Sequence, residues 1–455
     1  MSSSKQPGDP LLSAALAAAR ETKHLRLGKG ARHETAEVFA SLYGSSPAII
    51  IADENTFAVA GRDVADSLRA AGQASVPPLI LDGPSAGAPV KAEYDNVDRV
   101  REALSKTDAV PVAVGSGTIG DLTKLAAYQT ERPYIVVATA ASMDGYTAFG
   151  ASITFEGSKQ TFECPAAQAV VADLDVIGAA PDGMNASGYA DLVAKIPAGA
   201  DWLAADAAGA EKVNPAVWNT VQQRLRQWCA NPKGIARRDP EAVEGLITGL
   251  LMTGFAMQAA RSSRPASGAE HQFSHLWDME HHTHHGTAPS HGFKVGIGSL
   301  ASTALYEALL AEPDGGFHVR EALDAWPGAD EMEREIGELF RSEELAVTAR
   351  RESRAKYPAR EQLQEELTAL KAAWPALAKQ LRKQLLPYGT LREMLAAAGA
   401  PTDSREIGIS PERLALSCRK AYHIRRRYTV LDLARRIGKF DEAIAGMAAR
   451  TGVTR

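Results

Sequence analysis

Apolar residues in the first 178 positions occur in short continuous runs that are separated by amphipathic stretches. Four runs rich in valine, isoleucine and alanine lie at Pro47–Asp53, Pro77–Asp82, Ala109–Gly115 and Pro133–Thr139. Such runs are typical of strands buried on both faces of a parallel sheet. Segments between them, for example Val64–Ala71 and Tyr94–Leu104, have helical periodicity. This βαβ order predicts an α/β dinucleotide-binding domain with a parallel sheet over residues 1–178.

After about residue 179 the strand pattern ends and helical periodicity takes over. Val217–Cys229, Glu241–Arg261 and Glu361–Leu386 all repeat their apolar positions at helical spacing. We therefore predict an all-α metal- and substrate-binding domain over residues 179–455. The charged tract from Glu331 to Lys383 fits either an interaction arm or the solvated faces of ordinary helices, and its periodicity favours the second.

Two apolar segments are candidates for membrane-related functions, and neither fits well. The uncharged stretch Gly245–Ala260 is shorter than the ~20 apolar residues that a spanning helix needs, so we predict a buried helix and no membrane span. The N-terminal Leu11–Arg20 looks like a signal core, but Asp9 and Pro10 precede it. A surface helix is the better interpretation.

Composition narrows the function classes further. The 455 residues carry a net charge of −5, with 45% hydrophobic and 23% charged residues. This balance is ordinary for a globular protein and does not favour nucleic acid as a partner. Three cysteines, Cys164, Cys229 and Cys418, have no paired spacing, which argues against a disulfide framework and for a reducing, cytoplasmic location.

Residues 115–121 read GSGTIGD and match the pattern G-x-G-x-x-G of dinucleotide-binding loops. The true fingerprint follows the first strand and has an acidic residue about 20 positions later, and neither condition holds here. Glycines before a helix still allow a phosphate to approach the backbone, although a plain strand-to-helix turn is the alternative. Asp53 ends the first strong run, where it could accept hydrogen bonds from a ribose and favour NAD.

Seven of the 11 histidines fall within the 21 positions from His271 to His291. His271 and His275 are four residues apart, so both project from one face of a helical turn. His291 follows on a loop, just before an apolar helical stretch. A carboxylate would complete a three-ligand metal site, and Asp191, one turn into an apolar helical stretch, is the best candidate.

The remaining histidines of this region, His281, His282, His284 and His285, are crowded into the segment HHTHH. No helical framework fixes their geometry, so the favoured interpretation is a solvent loop that binds metal only adventitiously. His285 is also followed by glycine, which keeps it open as an alternative to His291.

Several longer motifs occur together in this chain. They are GSGTIGDLTK, VATAASMDGYTAFGAS, GYADLVAK, SRPASGAEHQFSH, HGFKVGIG and RRRYTVLDLA. In their order and spacing, from about Asp53 to Ala434, the chain resembles the sn-glycerol-1-phosphate dehydrogenase family. That family belongs with glycerol dehydrogenases, iron-dependent alcohol dehydrogenases and dehydroquinate synthases.

The resemblance implies a role for individual residues. Asp191, His271 and His291 correspond to metal ligands, with Asp191 also touching the substrate; Asp144 and His275 correspond to substrate-side, catalytic residues. The implied cofactor-binding residues are Asp53, Gly117, Thr118, Ile119, Gly120, Asp121, Thr139, Ala140, Ala141, Ser142 and Ala148. Ala148 stands where the family commonly has a serine, so one hydroxyl contact is lost there.

The resemblance also implies an activity. NADH or NADPH would reduce dihydroxyacetone phosphate to sn-glycerol 1-phosphate, a compound of phospholipid metabolism, with one zinc, nickel or iron ion as Lewis acid. It further implies a homo-oligomer. Alternatives are a polyol dehydrogenase, a phosphate-eliminating cyclase like dehydroquinate synthase, and a metal-binding protein on a retired scaffold.

The residues that hold the substrate phosphate are not evident from the sequence. Lys195, Arg264 and Lys294 are candidates. Three consecutive arginines at 425–427 also suggest an anion site, but on a helix their side chains would diverge, which favours a structural role.

Overall fold

The computed structural model describes residues 9–85, 88–156, 158–312 and 316–452. The chain divides into two compact units. The first contains Met1–Leu192 and Asn219–Ser263, and the second contains Val193–Trp218 and Arg264–Arg455. The limit predicted after residue 178 falls inside the first unit, because residues 179–192 and 219–263 group with the sheet.

A parallel sheet of six strands forms the centre of the first unit, and a separate antiparallel hairpin of two strands accompanies it. The strands are β1 (His24–Gly28), β2 (Ala48–Asp53), β3 (Leu79–Leu81), β4 (Val110–Gly115), β5 (Ile135–Ala138), β6 (Ala151–Phe155), β7 (Ser158–Phe162) and β8 (Ala169–Asp173). The order across the sheet is β1-β8-β5-β4-β2-β3, and the hairpin pairs β6 with β7. The predicted fold class of a parallel α/β domain is confirmed.

The four runs chosen as strands all form strands, while β1, β8 and the hairpin were missed. Strand β1 has the sequence HLRLG, whose alternating polar residues do not make a continuous apolar run. Strand β8 has the sequence AVVAD and is buried along its length. Its pattern was therefore as readable as that of β4.

Helices make up most of the remaining structure. In the sequence up to residue 193 they are α1 (Pro10–Ala18), α2 (Thr35–Tyr43), α3 (Glu54–Thr56), α4 (Arg62–Ala70), α5 (Tyr94–Ser105), α6 (Gly117–Gln129), α7 (Leu174–Ala179) and α8 (Asp182–Val193). Those from 195 to 260 are α9 (Lys195–Ala207), α10 (Pro215–Gln222), α11 (Leu225–Trp228), α12 (Pro232–Ala236) and α13 (Pro240–Ala260). Short 3-10 turns at Ala31–Glu34 and Ser404–Ile407 and a π-helical turn at Phe57–Gly61 complete the set.

The rest of the second unit is helical in the residues described, as predicted. Its helices are α14 (Ala269–Met279), α15 (His291–Leu309), α16 (Val319–Asp324), α17 (Ala329–Leu339), α18 (Glu343–Lys356), α19 (Arg360–Gln384), α20 (Tyr388–Ala397), α21 (Pro411–His423), α22 (Val430–Arg436) and α23 (Phe440–Arg450). Helix α15 packs against α14 and α23, and α9 packs against α19. The predicted single helix Val217–Cys229 is instead split into α10 and α11.

The sequence encodes the starts of two helices of the first unit directly. Asp9 accepts a hydrogen bond from the Leu11 N–H at 2.8 Å, and Pro10 is the first residue of α1. Asp239 likewise caps α13 through the Ala242 N–H at 2.9 Å, with Pro240 as its first residue. An acceptor followed by proline suits a helix start because the first N–H groups have no partner within the helix.

Helix α13 is long and apolar enough to cross a membrane by length and hydropathy alone. However, 83% of its 18-residue apolar window is buried inside the protein, as in the core helix of a globular domain. The predicted buried helix therefore lies where the sequence placed it.

Two glycines let helices of the first unit come unusually close to neighbouring backbone. A Cβ atom at Gly188 of α8 would lie 1.7 Å from the carbonyl oxygen of Ala141. A Cβ atom at Gly254 of α13 would lie 2.1 Å from Oγ1 of Thr147 and 2.9 Å from the carbonyl oxygen of Asp144. Both helices are thereby pressed against the segments that follow β5.

We expect Gly254→Ala to lower the free energy of unfolding by about 1–3 kcal/mol, because the added methyl group displaces the Thr147 hydroxyl from its hydrogen bond to the Leu251 carbonyl. Gly245→Ala, in the same helix but with no atom within 4 Å of its Cβ position, is the matched control. It should stabilise by up to about 1 kcal/mol through helix propensity. Urea unfolding of both variants tests this; equal stabilities would contradict the close packing at Gly254.

Candidate functional site

The glycine loop lies at the carboxyl end of β4, next to the carboxyl end of β2. Ile51 of β2 pairs with Ala113 of β4, so Asp53 and Gly115 end neighbouring strands. The chain runs from β2 outward to β3 and returns through β4 toward β5, so the strand order reverses between β2 and β4. Ligands of open α/β sheets bind in the crevice at such a switch point.

The glycines of the loop have different structural roles. A Cβ atom at Gly115 would lie 2.5 Å from the Ile119 Cβ, so this glycine lets α6 pack onto the end of its own strand. A Cβ atom at Gly117 would lie 3.1 Å from the Met143 side chain, whereas no atom lies within 4 Å of that position at Gly120. Ser116 precedes α6 without making a capping hydrogen bond. The first amides of α6, in Gly117–Ile119, are thus suited to an anion.

Asp53 is held in place by a capping box. Its Oδ1 accepts a hydrogen bond from the Thr56 N–H at 2.8 Å, and Thr56 Oγ1 accepts one from the Asp53 N–H at 3.0 Å. The sequence pattern D-x-x-T could have shown this cap. It fixes the direction of the carboxylate at the end of β2.

The segment Thr139–Ser142 follows β5 and is anchored through its backbone. Thr139 N–H donates to the Gly115 carbonyl at 3.2 Å, which joins it to the glycine loop. The Ala140 carbonyl accepts from the Tyr146 hydroxyl at 2.7 Å, and Gly188 of α8 lies against the Ala141 carbonyl. Two of the predicted cofactor-binding segments are therefore neighbours in the structure.

Lys124 organises the next loop, which carries Asp144 and Ala148. Its ammonium group is almost fully buried and donates to the carbonyls of Gly145, Ala148 and Gly150 at 3.0–3.2 Å. Asp121 pairs with Lys124 at 3.3 Å and accepts from the Ser152 N–H at 3.0 Å.

The observed contacts of Asp121 and Ala148 thus stabilise the protein fold. Asp121 supports the loop, and Ala148 is buried. A contact of either residue with the cofactor stays a prediction.

In the second unit, three of the predicted histidines come together. The rings of His271 and His291 are 5.2 Å apart between centroids, and His275 lies 6.3 Å from His271 and 6.5 Å from His291. His271 and His275 lie on successive turns of α14, as predicted. His291 is the first residue of α15 rather than part of a loop, and Ser290 caps that helix.

Glu270 sets the orientation of the His271 ring. Glu270 is fully buried, and its Oε1 lies 2.8 Å from Nδ1 of His271 and accepts from the Gly268 N–H at 2.6 Å. With Nδ1 bonded to this carboxylate, Nε2 is the nitrogen that could act as a metal ligand. Burial raises the pKa of Glu270 above its usual range.

A second buried carboxylate, Asp201 of α9, holds the start of α14. Its Oδ2 accepts from the Ala269 N–H at 2.7 Å, and its Oδ1 accepts from the Tyr306 hydroxyl at 2.6 Å. Burial, together with the nearby charge of Glu270, raises the pKa of Asp201. Sequence reasoning missed both carboxylates because each looks like an ordinary residue of an amphipathic helix.

Asp191 lies near the end of α8 rather than one turn after its start, two residues before the first unit gives way to the second. It is fully buried. Only Ala194 separates α8 from α9, so Asp191 precedes the first residue of α9 by one helical turn.

The HHTHH segment forms a loop of its own. His282 Nε2 lies 2.6 Å from the Ile407 carbonyl, and its Nδ1 lies 2.9 Å from Nη1 of Arg413. Since a guanidinium only donates, Nδ1 must accept and Nε2–H must donate, which specifies a neutral ring. His284 and His285 stack at 3.9 Å, and His285 has a left-handed φ of 50°. Of the two candidates for the third ligand, His291 is the one beside His271.

Two of the predicted phosphate-binding cations already have partners within the second unit. Lys294 is buried and paired with Asp278. Arg264 donates to the carbonyls of Tyr428 and Asp201, each at 2.9 Å, and lies 3.3 Å from Glu211. Lys195 is fully buried at the start of α9.

Comparison with known proteins shows the class to which this fold belongs. Residues 26–181 match the family model described as iron-containing alcohol dehydrogenase. Two similar solved structures are a glycerol dehydrogenase from Schizosaccharomyces pombe (TM-score 0.58, 17% identity, 95% of this chain and 92% of that one) and an NAD+ complex of sulfoacetaldehyde reductase from Bifidobacterium kashiwanohense (0.58, 16%, 96% and 98%). The chain has the two-domain fold of this class.

Curated relatives identify the family within the class. Glycerol-1-phosphate dehydrogenase [NAD(P)+] of Halalkalibacterium halodurans is 37% identical over 287 residues, which cover 63% of this chain and 71% of the relative. The enzyme of the same name from Pyrococcus furiosus is 32% identical over 282 residues, covering 62% and 77%. The chain belongs to the glycerol-1-phosphate dehydrogenase family, as its motifs indicated.

We expect His282 to titrate below its usual pKa of 6.5, because burial and the Arg413 charge both oppose its protonation. As pH falls below about 6.5 the unfolded chain takes up this proton first, so His282 destabilises the fold progressively until pH passes the folded pKa. An NMR titration assigned with His282→Gln measures the value. A pKa above 6.5 would contradict the neutral tautomer.

Proposed function

We propose that this protein catalyses the NAD(P)H-dependent reduction of dihydroxyacetone phosphate to sn-glycerol 1-phosphate. Its membership of a family whose curated relatives bear that activity in their names carries the proposal. The anion-suited loop at the switch point of the sheet and the paired imidazoles of the second unit support it.

The cofactor would lie at the carboxyl ends of β2 and β4. Its pyrophosphate would receive hydrogen bonds from the first amides of α6, in Gly117–Ile119, while Gly120 and Asp121 follow in the same turn. The carboxylate of Asp53, with one oxygen used as a helix cap, would accept from a ribose hydroxyl through the other. Such an acceptor disfavours a 2′-phosphate, so we propose NAD as the preferred cofactor.

A divalent metal ion would be held by Asp191, His271 and His291. One carboxylate and two imidazoles form a donor set that suits such an ion, and leave positions open for substrate. The bond from Glu270 to Nδ1 of His271 fits this role, since ligating histidines commonly donate their other N–H to a carboxylate. Helix α9 is fixed to α14 through Asp201, and Asp191 comes one turn before α9.

The reaction balances with one hydride and one proton. The hydride moves from the reduced nicotinamide to C2 of dihydroxyacetone phosphate, and the proton goes to the oxygen on that carbon. A bound metal supplies Lewis acidity, which stabilises negative charge on the substrate. His275, half-buried and one turn from His271, would give up the proton, and Asp144 would orient the substrate hydroxyl group.

We also propose that the protein works in the cytoplasm as a homo-oligomer, the second because its family resemblance implies it. None of the three cysteines forms a disulfide and all are buried, which suits a reducing compartment. Zinc, nickel and iron all accept this set of ligands.

We expect the purified protein to oxidise NADH or NADPH when it is given dihydroxyacetone phosphate and a divalent metal, and to form the sn-1 enantiomer. The absorbance of the reduced nicotinamide and enantiomer analysis of the product measure this. Turnover of unphosphorylated dihydroxyacetone alone would point instead to a polyol dehydrogenase. Release of phosphate from a sugar phosphate without net cofactor oxidation would point to a cyclase.

We expect Asp191→Asn to abolish tight zinc binding and turnover together, because it removes the only proposed anionic ligand. Glu270→Gln should weaken zinc binding by about 10–100-fold by loosening His271. Glu280→Gln is a matched control, since Glu280 directly follows α14 but pairs with Arg413 and Lys420. Zinc competition titrations measure the affinities; unchanged affinity in Asp191→Asn would refute the ligand set.

A further inference from the structure

The three consecutive arginines at 425–427 do not lie on a helix, contrary to the expectation from the sequence. They occupy the irregular segment between α21, which ends at His423, and α22, which begins at Val430. The reason given for a purely structural role, that helical side chains diverge, therefore does not apply.

Arg426 has a complete ion pair of its own. Its guanidinium binds both oxygens of Glu352, with Nε 2.9 Å from Oε2 and Nη2 3.0 Å from Oε1. This fork, with help from Arg351, lowers the pKa of Glu352 to about 2. The side chain of Arg426 is exposed. Its charge is therefore compensated by Glu352.

The Arg427 side chain contacts the segment just before α14, the helix that carries His271. Its Nη1 donates to the Ser267 carbonyl at 2.8 Å, and its own carbonyl accepts from Nε2 of Gln272 at 3.3 Å. Ser267 precedes the first residue of α14 by two residues and His271 by four. The guanidinium is thus bonded to the segment that leads into the helix of a proposed metal ligand.

Charges of both signs act on Arg427. Burial lowers its pKa to about 9, and the neighbouring charges of Arg425 and Arg264 act in the same direction, while Glu211 and Glu270 oppose them. Arg264 is already engaged by two carbonyls and Glu211. Arg427 in turn donates to the Ser267 carbonyl, so Arg425 is the cation of this cluster with capacity for a further anion.

Within the ranges that the structure describes, the guanidinium of Arg425 forms no hydrogen bond and no ion pair. The side chain is nevertheless only partly exposed, and burial lowers its pKa. A desolvated guanidinium without an acceptor is costly, whereas a bound oxyanion can accept several of its hydrogen bonds. Its surroundings thus favour an anionic ligand.

Backbone amides near this position are not available for that anion. The N–H of Gly268 donates to Glu270, and the N–H of Ala269 donates to Asp201. The first donors of α14 are thus occupied by protein carboxylates. Side-chain cations must supply the hydrogen bonds.

We propose that Arg425 and Arg427 form the site for the phosphate group of the substrate. This rests on the proposed function, in which the three-carbon substrate places its carbonyl near His271 and its phosphate a few bonds away. Guanidinium groups match a phosphate because their planar forks donate to two oxygens at once. The two arginines would thereby select phosphorylated over unphosphorylated substrates.

The test compares Arg425→Gln with Arg426→Gln. We expect Arg425→Gln to raise KM for dihydroxyacetone phosphate by about 10–100-fold with a smaller change in kcat, as for the loss of one charged hydrogen-bonding partner. The ratio of kcat/KM for dihydroxyacetone phosphate over dihydroxyacetone should fall in parallel. Arg425→Lys should restore part of the loss, and Arg426→Gln should behave as wild type.

Inorganic phosphate provides a second readout that does not depend on turnover. We expect it to bind the wild-type protein and to bind Arg425→Gln at least tenfold more weakly, as measured by calorimetry. Since the Arg425 guanidinium makes no hydrogen bond to any residue that the structure describes, this variant should keep the wild-type unfolding midpoint, whereas Arg427→Gln also loses the bond to Ser267.

Two outcomes separate failure of this site from failure of the proposed function. Equal KM values and equal phosphate affinities in Arg425→Gln and Arg426→Gln would overturn the phosphate site while leaving the activity standing. A wild-type protein that does not reduce dihydroxyacetone phosphate would refute the proposed function. In that case, phosphate binding that is weakened by Arg425→Gln but not by Arg426→Gln would still support the anion site.

Discussion

The second unit depends on a single buried carboxylate, that of Asp201. It accepts hydrogen bonds from the first N–H groups of two helices, Ala269 of α14 and Val430 of α22, each at 2.7 Å. It also accepts from the Tyr306 hydroxyl of α15. One side chain thus replaces the missing N-cap of α14, adds to the Thr429 cap of α22 and ties both helices to a third, in a place where an unpaired charge would be strongly destabilising.

This shared cap explains why glycine occupies position 268. Gly268 occupies the N-cap position of α14 but has no side chain to cap it, and a Cβ atom there would lie 2.3 Å from Oδ2 of Asp201. The cap comes from α9 instead, so the position of His271 depends on α9. The segment with Arg425 and Arg427 ends at the other helix that Asp201 caps. The proposed metal and phosphate subsites therefore share one structural anchor.

In the first unit, close packing of helices against backbone holds neighbouring segments in position. In the second unit, the buried carboxylate of Asp201 does this. Gly188 and Gly254 bring α8 and α13 against the backbone that follows β5, where the segment Thr139–Ser142 and Asp144 lie. Neither glycine has a positive φ. Glycine is needed at both positions because there is no room for a side chain. A methyl group at either position would displace the loops that we propose to contact cofactor and substrate.

Much of the fold was predictable because buried parallel strands and long helices have strong local patterns. Strand β1 was not, since HLRLG lacks a continuous apolar run, and β8 was overlooked although its pattern was clear. For the site, the spacing of His271 and His275 placed them correctly on one helix face.

The supporting groups of the site were not predictable, because Glu270 and Asp201 owe their roles to tertiary burial that no local pattern records. The irregular conformation of residues 425–427 was not predictable either. This segment ends at Val430, where α22 begins and where Thr429 and Asp201 accept hydrogen bonds from its first N–H groups.

The ammonium of Lys124 has a consequence for how the protein responds to its surroundings. Three carbonyls and Asp121 surround it much as oxygen ligands surround a bound alkali or alkaline-earth ion, but this cation is covalently attached to the chain. It cannot be removed by a chelator or exchanged for a competitor ion. The loop around Asp144 and Ala148 is thus held by a charge that belongs to the chain, whereas the metal ion proposed for Asp191, His271 and His291 would be exchangeable.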